Sequence, residues 1–127
     1  MNQISSEQWN QMGRASFDAR LIAIIRRNHP EQAAKIDFAQ LVGAFRRQAT
    51  KAKHHGLNDE HSAATYVYTA WLLGEEFDTR IPAVAQILAD RRMKSTDKAA
   101  ALANFSRLVF RTLSGGAAAN EAPKSGA

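Results

Sequence analysis

The chain has 127 residues, no cysteine and a formal net charge of +5. This length suits one domain whose hydrophobic core is large enough to be stable without cross-links. The absence of cysteine excludes disulfide bonds, thiolate zinc sites and a thiol nucleophile. The longest strictly apolar runs, such as Leu21 to Ile25, have five residues, so the sequence predicts no membrane span, which requires about 18.

The first predicted helix extends from about Ser6 to Asn28. Ser5 or Ser6 can cap it, and its apolar residues recur at steps of three and four, which places them on one face. His29-Pro30 ends this helix, because the residue before a proline avoids the α region. The N-terminal residues, MNQISSEQWNQ, are polar and lack the basic flank and apolar stretch of a secretory signal, so we expect a cytoplasmic protein.

The second predicted helix extends from about Asp37 to His55, after a short helical turn at Glu31 to Lys35. Asp37 is a favoured N-cap residue, and Gly56 stands where a helix C-terminus often needs a left-handed residue. No acid occurs between Asp37 and Asp59, whereas four cations do. These cations, called here the basic face, are Arg46, Arg47, Lys51 and Lys53.

The basic face has two interpretations. As a functional surface it would attract an acidic partner or a phosphate backbone. As a structural feature it is a solvated helix side whose cations favour the negative end of the helix dipole. Arg46 and Lys53 are seven residues apart and share one side of the helix, whereas Arg47 and Lys51 share a neighbouring side.

The third predicted helix begins after Asn58 or Asp59, either of which can cap it, and ends before Gly74. Its last two turns are almost entirely apolar or aromatic, so the helix has no clear polar face. A helix that is hydrophobic all round is normally buried, and we therefore expect this one at the centre of a bundle. Trp71 and Leu72 are expected in the core.

The stretch after the third helix reads GEEFDTRIP and is predicted to form a loop. It carries three acids around one aromatic residue, called here the acidic segment: Glu75, Glu76, Phe77 and Asp78. This segment is either a solvated helix exit with Phe77 in the core or an exposed contact loop. Paired carboxylates would support acid–base catalysis if one were buried, but a loop after a glycine is a poor place to hold them.

Two further helices are predicted. Pro82 opens a short fourth helix that ends near Asp90, since proline is favoured in the first helical turn. A fifth helix follows from a Ser95 or Thr96 cap to about Leu113, and two glycines come after it. The residues of this helix expected to face inward are Leu102, Phe105, Leu108, Val109 and Leu113.

The last thirteen residues have no large apolar side chain and are rich in alanine and glycine. Such a segment cannot bury enough surface to offset its ordering entropy, so we expect residues 115–127 to form a disordered tail. The sequence therefore predicts an all-α fold, with a single compact bundle of about five helices over residues 1–114. The third helix lies buried at the centre of that bundle.

Other kinds of site have weaker support. The third helix is too apolar to read base edges as the second helix of a helix-turn-helix. The four histidines show no His-x-x-x-His spacing, and no Gly-x-Ser-x-Gly, P-loop or dinucleotide fingerprint occurs. We therefore expect no catalytic residues, no metal and no cofactor.

The run from Lys51 to Asp90 contains a basic helix with a glycine-led turn, an acid-capped aromatic helix, a Leu-Gly-x-x-Phe-Asp exit and a proline-started helix. It resembles small helical bacterial proteins encoded beside type VI secretion effectors and their adaptors. The resemblance implies a non-catalytic accessory protein that binds another protein, such as a secreted effector or its adaptor. It would act as a co-chaperone or adaptor, or as an immunity-type inhibitor.

The partner would contact the basic face or the acidic segment, and the sequence does not decide between these two surfaces. It also does not determine an oligomeric state. The alternative function is a nucleic-acid-associated helical protein that uses the face from Arg46 to Lys53. No contact with a membrane is expected.

Removal of the residues after Gly116 is expected to leave the melting temperature unchanged, because they contain no large apolar side chain to bury. Thermal unfolding of the full-length and shortened chains, followed by circular dichroism, tests this expectation. A clear fall in melting temperature would contradict it. Loss of partner binding at unchanged stability would identify the removed residues as a recognition element.

Overall fold

The computed structural model describes residues 5–13 and 16–121, and the regular secondary structure within these ranges is entirely helical. The predicted all-α bundle is confirmed, although the described residues form eight helices. None of these helices is both long enough and apolar enough to span a membrane. The helices are α1 (Ser6–Gln11), α2 (Phe17–Asn28), α3 (Pro30–Ala33), α4 (Phe38–His54), α5 (Glu60–Leu73), α6 (Phe77–Arg80), α7 (Pro82–Ala89) and α8 (Ser95–Glu121).

The first predicted helix is divided into α1 and α2, so the prediction of one continuous helix is wrong. Gly13 has a φ of 58°, in the left-handed region that a right-handed helix excludes. Ser16 then starts α2, because its side chain accepts a hydrogen bond from the Ala19 N–H. The predicted ends are confirmed: Ser5 caps α1, and His29 is the C-cap of α2.

The ends of α4 and α5 agree with the predictions. Asp37 and Asp59 are the N-caps, and each carboxylate accepts a hydrogen bond from a backbone N–H in the first turn of its helix. Gly56 and Gly74 follow the two helices with φ values of 87° and 109°. A side chain at either position would strain the backbone, which is why glycine stands at both exits.

The fold is organised around α5, in which every residue from Ser62 to Ala70 is buried. One side of this helix joins a core cluster with α1, α2 and α4, which includes Trp9, Ile24 and Phe45. Its other side joins a second cluster with α6, α7 and α8, which includes Phe77, Leu88 and Leu102. The prediction of a buried central third helix is therefore confirmed.

Two core predictions are wrong in detail. Trp71 and Leu72 are only partly buried, because the last turn of α5 extends to the edge of the first core cluster. Leu108 is 56% exposed, because it lies about 120° around α8 from the buried Leu102. The side chain of Leu113 lies outside the described part of the chain.

The last helix is longer than predicted. α8 continues through Gly115 and Gly116 and ends at Glu121, so the two glycines do not end it. The alanines from Ala117 to Ala119 have the highest helix propensity of any residue type, which favours continuation past the glycines. Residues 122–127 of the predicted tail lie outside the described residues.

The two aromatic residues Phe45 and Trp71 should differ in their contribution to stability. Phe45→Ala is expected to lower the free energy of unfolding by about 3–5 kcal/mol, since Phe45 is 2% exposed. Trp71→Ala is expected to cost roughly half as much, because part of its surface already contacts water. Urea denaturation measures both. A larger loss for Trp71→Ala would contradict this ranking.

Candidate functional site

The structure brings part of the basic face and the acidic segment together along one side of α4. Arg47, Lys51 and His55 follow one another at steps of four residues, which aligns them in one stripe. After Gly74 the chain turns back, and Glu75 and Asp78 lie against this stripe. We call these five residues the charge ladder: Arg47, Lys51, His55, Glu75 and Asp78.

Asp78 is the most buried member of the charge ladder, with a side chain that is 3% exposed. Lys51 Nζ donates to its Oδ1 at 3.0 Å, and His55 Nε2 lies 3.2 Å from its Oδ2. Burial by itself would raise the pKa of Asp78. The hydrogen bonds from Lys51 and His55 and the charge of Lys51 outweigh burial and hold this pKa below its usual value.

The outer end of the charge ladder is weaker. Arg47 Nη2 lies 3.4 Å from Glu75 Oε1, and both side chains are more than half exposed, so water screens the pair. Gln48 Nε2 donates to the Glu75 carboxylate at 3.3 Å, and Lys51 Nζ donates to the Glu75 carbonyl at 3.1 Å. The ion pairs of the charge ladder therefore become shorter and more buried from Arg47–Glu75 to Lys51–Asp78.

The acidic segment is partly helical and anchored, so the prediction of a loop over GEEFDTRIP is wrong. Phe77 begins α6, is 2% exposed, and packs against Tyr66 with ring centroids 5.0 Å apart. The interpretation in which Phe77 lies in the core is thus the correct one. The short helix also holds Asp78 in place, so a buried carboxylate does occur here. Glu76 stays exposed on the outer side.

Tyr66 completes the interior end of the charge ladder. Its ring lies 5.7 Å from that of His55, and the residue is fully buried. Burial first, and then the nearby Asp78 carboxylate, raises the pKa of Tyr66 far above its usual value. The hydroxyl therefore stays protonated at physiological pH.

The other two cations of the basic face point away from the charge ladder. Arg46 is 77% exposed, and its acidic partner within the described part of the chain is distant, Asp18 of α2 at 3.9 Å. Lys53 is exposed and forms no ion pair within residues 16–109. The fold therefore pairs Arg47 and Lys51 with acids of the acidic segment and leaves Arg46 and Lys53 directed away from that segment.

A cleft of about 220 Å³ opens between α4 and α5. Gln48 and Glu75 stand at its polar end, so it adjoins the charge ladder. The remaining lining is mostly apolar: Leu41, Ala44, Phe45, Val67, Ala70 and Trp71. No prediction from the sequence included this cleft. Ala44 and Ala70 leave room for it, but small residues are frequent in both helices and these two gave no distinct signal.

The wall of the cleft is fixed by aromatic contacts. Trp71 stacks on Tyr68 at 6.4 Å between ring centroids and lies 5.1 Å from the ring of His29. His29 Nε2 is 2.7 Å from the Tyr68 hydroxyl, and burial lowers the pKa of His29. His29 is the C-cap of α2 and is buried. Among the described residues, no group of histidines and carboxylates has the arrangement of a metal site.

No protein-family model, curated protein or solved structure matches this chain. The resemblance of residues 51–90 to proteins encoded beside type VI secretion effectors therefore stays an expectation. The geometry around α4 carries the functional interpretation.

Asp78→Asn is expected to lower the free energy of unfolding by about 2–3 kcal/mol at neutral pH, because it leaves the Lys51 ammonium without its buried counter-charge. The pKa of Asp78 is lower in the folded protein than its unfolded value of about 3.9. The stabilisation is therefore complete above that pH and disappears as the pH falls through the folded pKa. Urea denaturation between pH 7 and pH 2 measures it.

Glu76→Gln is the matched control, because Glu76 is an exposed acid of the same segment, two residues before Asp78. Its effect should be small at every pH. Equal losses for the two variants, or a loss for Asp78→Asn that persists at the lowest pH, would show that Asp78 does not stabilise the fold through its charge.

Proposed function

We propose that this chain is a non-catalytic protein-binding domain whose contact surface includes the α4–α5 cleft. The cleft itself carries the proposal: an apolar, partly aromatic depression that is open at the surface and has polar groups at one end. Protein interfaces commonly bury one or two anchor side chains in such a depression and surround them with polar contacts.

Rigidity of the cleft supports the same proposal. Trp71 is held by rings on two sides, and Phe45 is almost fully buried at the base. A partner side chain that enters a preformed depression costs less ordering entropy than one that must first organise its site. The cleft volume of about 220 Å³ would suit a leucine or an aromatic side chain.

The roles that we propose are those implied by the resemblance of residues 51–90. The chain would act in the cytoplasm as a co-chaperone or adaptor for a type VI secretion effector, or as an immunity-type inhibitor of one. In each role it would cover or stabilise a surface of its partner. The alternative use of Asp78, Lys51 and His55 in catalysis has less support, because these groups already bind one another.

A second candidate function, association with nucleic acid, is favoured by one observation. Arg46 and Lys53 are exposed on the same side of α4, where each would contact a phosphate. Binding of this kind weakens steeply with salt, at close to one unit of log–log slope for each phosphate contacted. A protein interface anchored in an apolar cleft would survive moderate salt better.

Ala44→Arg tests the proposal, because a long charged side chain would fill the cleft from the α4 side. Gln86→Arg, at an exposed position of α7, introduces the same side chain away from the cleft. Each tagged variant would be expressed in the native host, and the captured proteins would be compared with those of the wild type at equal melting temperature. We expect Ala44→Arg to lose a captured protein that Gln86→Arg retains.

Two results would contradict the proposal. The first is equal capture by both variants, which would remove the cleft from the interface. The second is tight, strongly salt-dependent binding of the wild type to a DNA duplex with no protein captured, which would favour the nucleic-acid function.

A further inference from the structure

The seam where α2 packs against α4 carries cations contributed by both helices. The guanidinium of Arg26 lies 4.8 Å from the centroid of the Phe38 ring, at the start of α4. At the other end of α2, Asp18 lies 3.9 Å from Arg46. Eight residues separate Arg26 from Asp18, and eight separate Arg46 from Phe38, so the two helices run in opposite directions along this seam.

Three exposed cations therefore form one row along the α4 axis: Arg26, Arg46 and Lys53, called here the cation row. Arg26 stands level with Phe38, so the step to Arg46 is eight residues of α4, or about 12 Å. The step from Arg46 to Lys53 is seven residues, or about 10 Å. The row does not include Arg47 and Lys51, which the charge ladder neutralises.

Apart from Asp18, the side chains between these cations are small and apolar. Ala19 and Ala23 of α2 and Ala39 of α4 are exposed along it, and Val42 is half-buried. Short side chains of this kind leave room for another helix to approach closely and to make apolar contact between the charges. A surface built only to attract charge would gain nothing from them.

The row ends in a second cleft, of about 320 Å³, which Lys53 borders. Phe17, Ala49, Leu57 and Ala63 supply its apolar lining. Two acids also stand at its edge, and both are already bound: Asp59 by Ser62 and Ser95, and Glu60 by Arg20. An apolar side chain that follows the last acid of a docked helix would be buried here.

We propose that the cation row docks an acidic helix of a partner protein, with carboxylates eight and then seven residues apart. On a helix those three positions fall within about 80° of one another, so a single face can reach all three cations. An apolar side chain beyond the acid that pairs with Lys53 would enter the second cleft. This inference rests on the proposed protein-binding function and names the chemistry of its partner.

Asp18 argues for a protein partner over a phosphate backbone. Its carboxylate stands within the row beside Arg46, where it would repel a continuous line of phosphates. Duplex DNA carries one charge per roughly 1.7 Å of axis, far denser than three cations over about 22 Å. Carboxylates at seven- and eight-residue steps match the row and leave Asp18 opposite a neutral residue.

The test uses a labelled, alanine-rich helical peptide with three glutamates at the eight- and seven-residue spacing and a leucine beyond the last. A control peptide of identical composition carries the glutamates at five-residue steps, which spreads them around the helix. Fluorescence anisotropy at low ionic strength measures binding of each peptide, and of a DNA duplex, to the whole chain. We expect the first peptide to bind more tightly than the control peptide.

Two triple variants of equal charge complete the test. The first removes the cation row through Arg26→Gln, Arg46→Gln and Lys53→Gln. The second removes three other exposed cations through Arg80→Gln, Arg91→Gln and Lys94→Gln. Loss of the cation row should lower the affinity for the first peptide by roughly tenfold, which is the contribution expected from three exposed ion pairs. The second triple variant should bind this peptide nearly as tightly as the wild type does.

Equal binding of the two peptides, equal weakening by the two triple variants, or preferential binding of the duplex would each overturn the inference. Host capture separates it from the proposed function. A captured protein that Ala44→Arg loses but the cation-row variant retains would support the proposed function. The same result would contradict the inference about the cation row. Row-dependent binding of the peptide without any captured protein would support the row and contradict the proposed function.

Discussion

A helix without a polar side has to be enclosed, and α5 imposes that requirement on the whole bundle. Every residue from Ser62 to Ala70 is buried, so other helices must cover α5 around its full circumference. α2 and α4 cover it on one side, and α6 and α8 cover it on the other. Each covering helix then has one side fixed against α5, and its remaining sides are available for charge.

Enclosing α5 also buries polar groups, and several of them are satisfied by nearby carbonyls, although the Tyr66 hydroxyl and Gln48 Oε1 have no hydrogen-bond partner among the described residues. The hydroxyls of Thr65 and Thr69 donate to carbonyls one turn earlier in α5, at 3.1 and 2.7 Å. Lys98 of α8 is buried, and its Nζ donates to the carbonyls of His55 and Leu88 at 2.7 and 2.8 Å. One ammonium thus binds the C-terminal ends of α4 and α7, where the helix dipoles favour a cation.

This arrangement gives α4 three sides with different roles. The side of Phe45 and Ala52 fills the core. The stripe of the charge ladder attaches α4 to the segment after α5, where the buried Asp78 pairs with Lys51 and His55. Arg46 and Lys53 remain at the surface, where Arg26 of α2 joins them. A charge count of α4 alone would treat the four cations as equivalent, although the fold pairs two of them with the acidic segment and leaves the other two outside that cluster.

Local signals were sufficient to predict most helix ends and the central position of α5. Asp37, Asp59, Gly56 and Gly74 act on backbone groups within a turn of themselves, so their effect can be read from a few neighbouring residues. The break at Gly13 was also signalled locally, by a glycine followed three residues later by a serine cap, but the apolar periodicity across it favoured one helix.

The charges could be located in the sequence but not paired. Burial of Asp78, its contacts with Lys51 and His55, and the cleft between Ala44 and Ala70 join residues 23 or more positions apart. Membership of Arg26 in the cation row likewise depends on how α2 crosses α4. Composition and helical periodicity decide which side of each helix is apolar. The relative placement of the helices decides which charges meet, because an ion pair or a cleft exists only once two separate elements are held at contact distance.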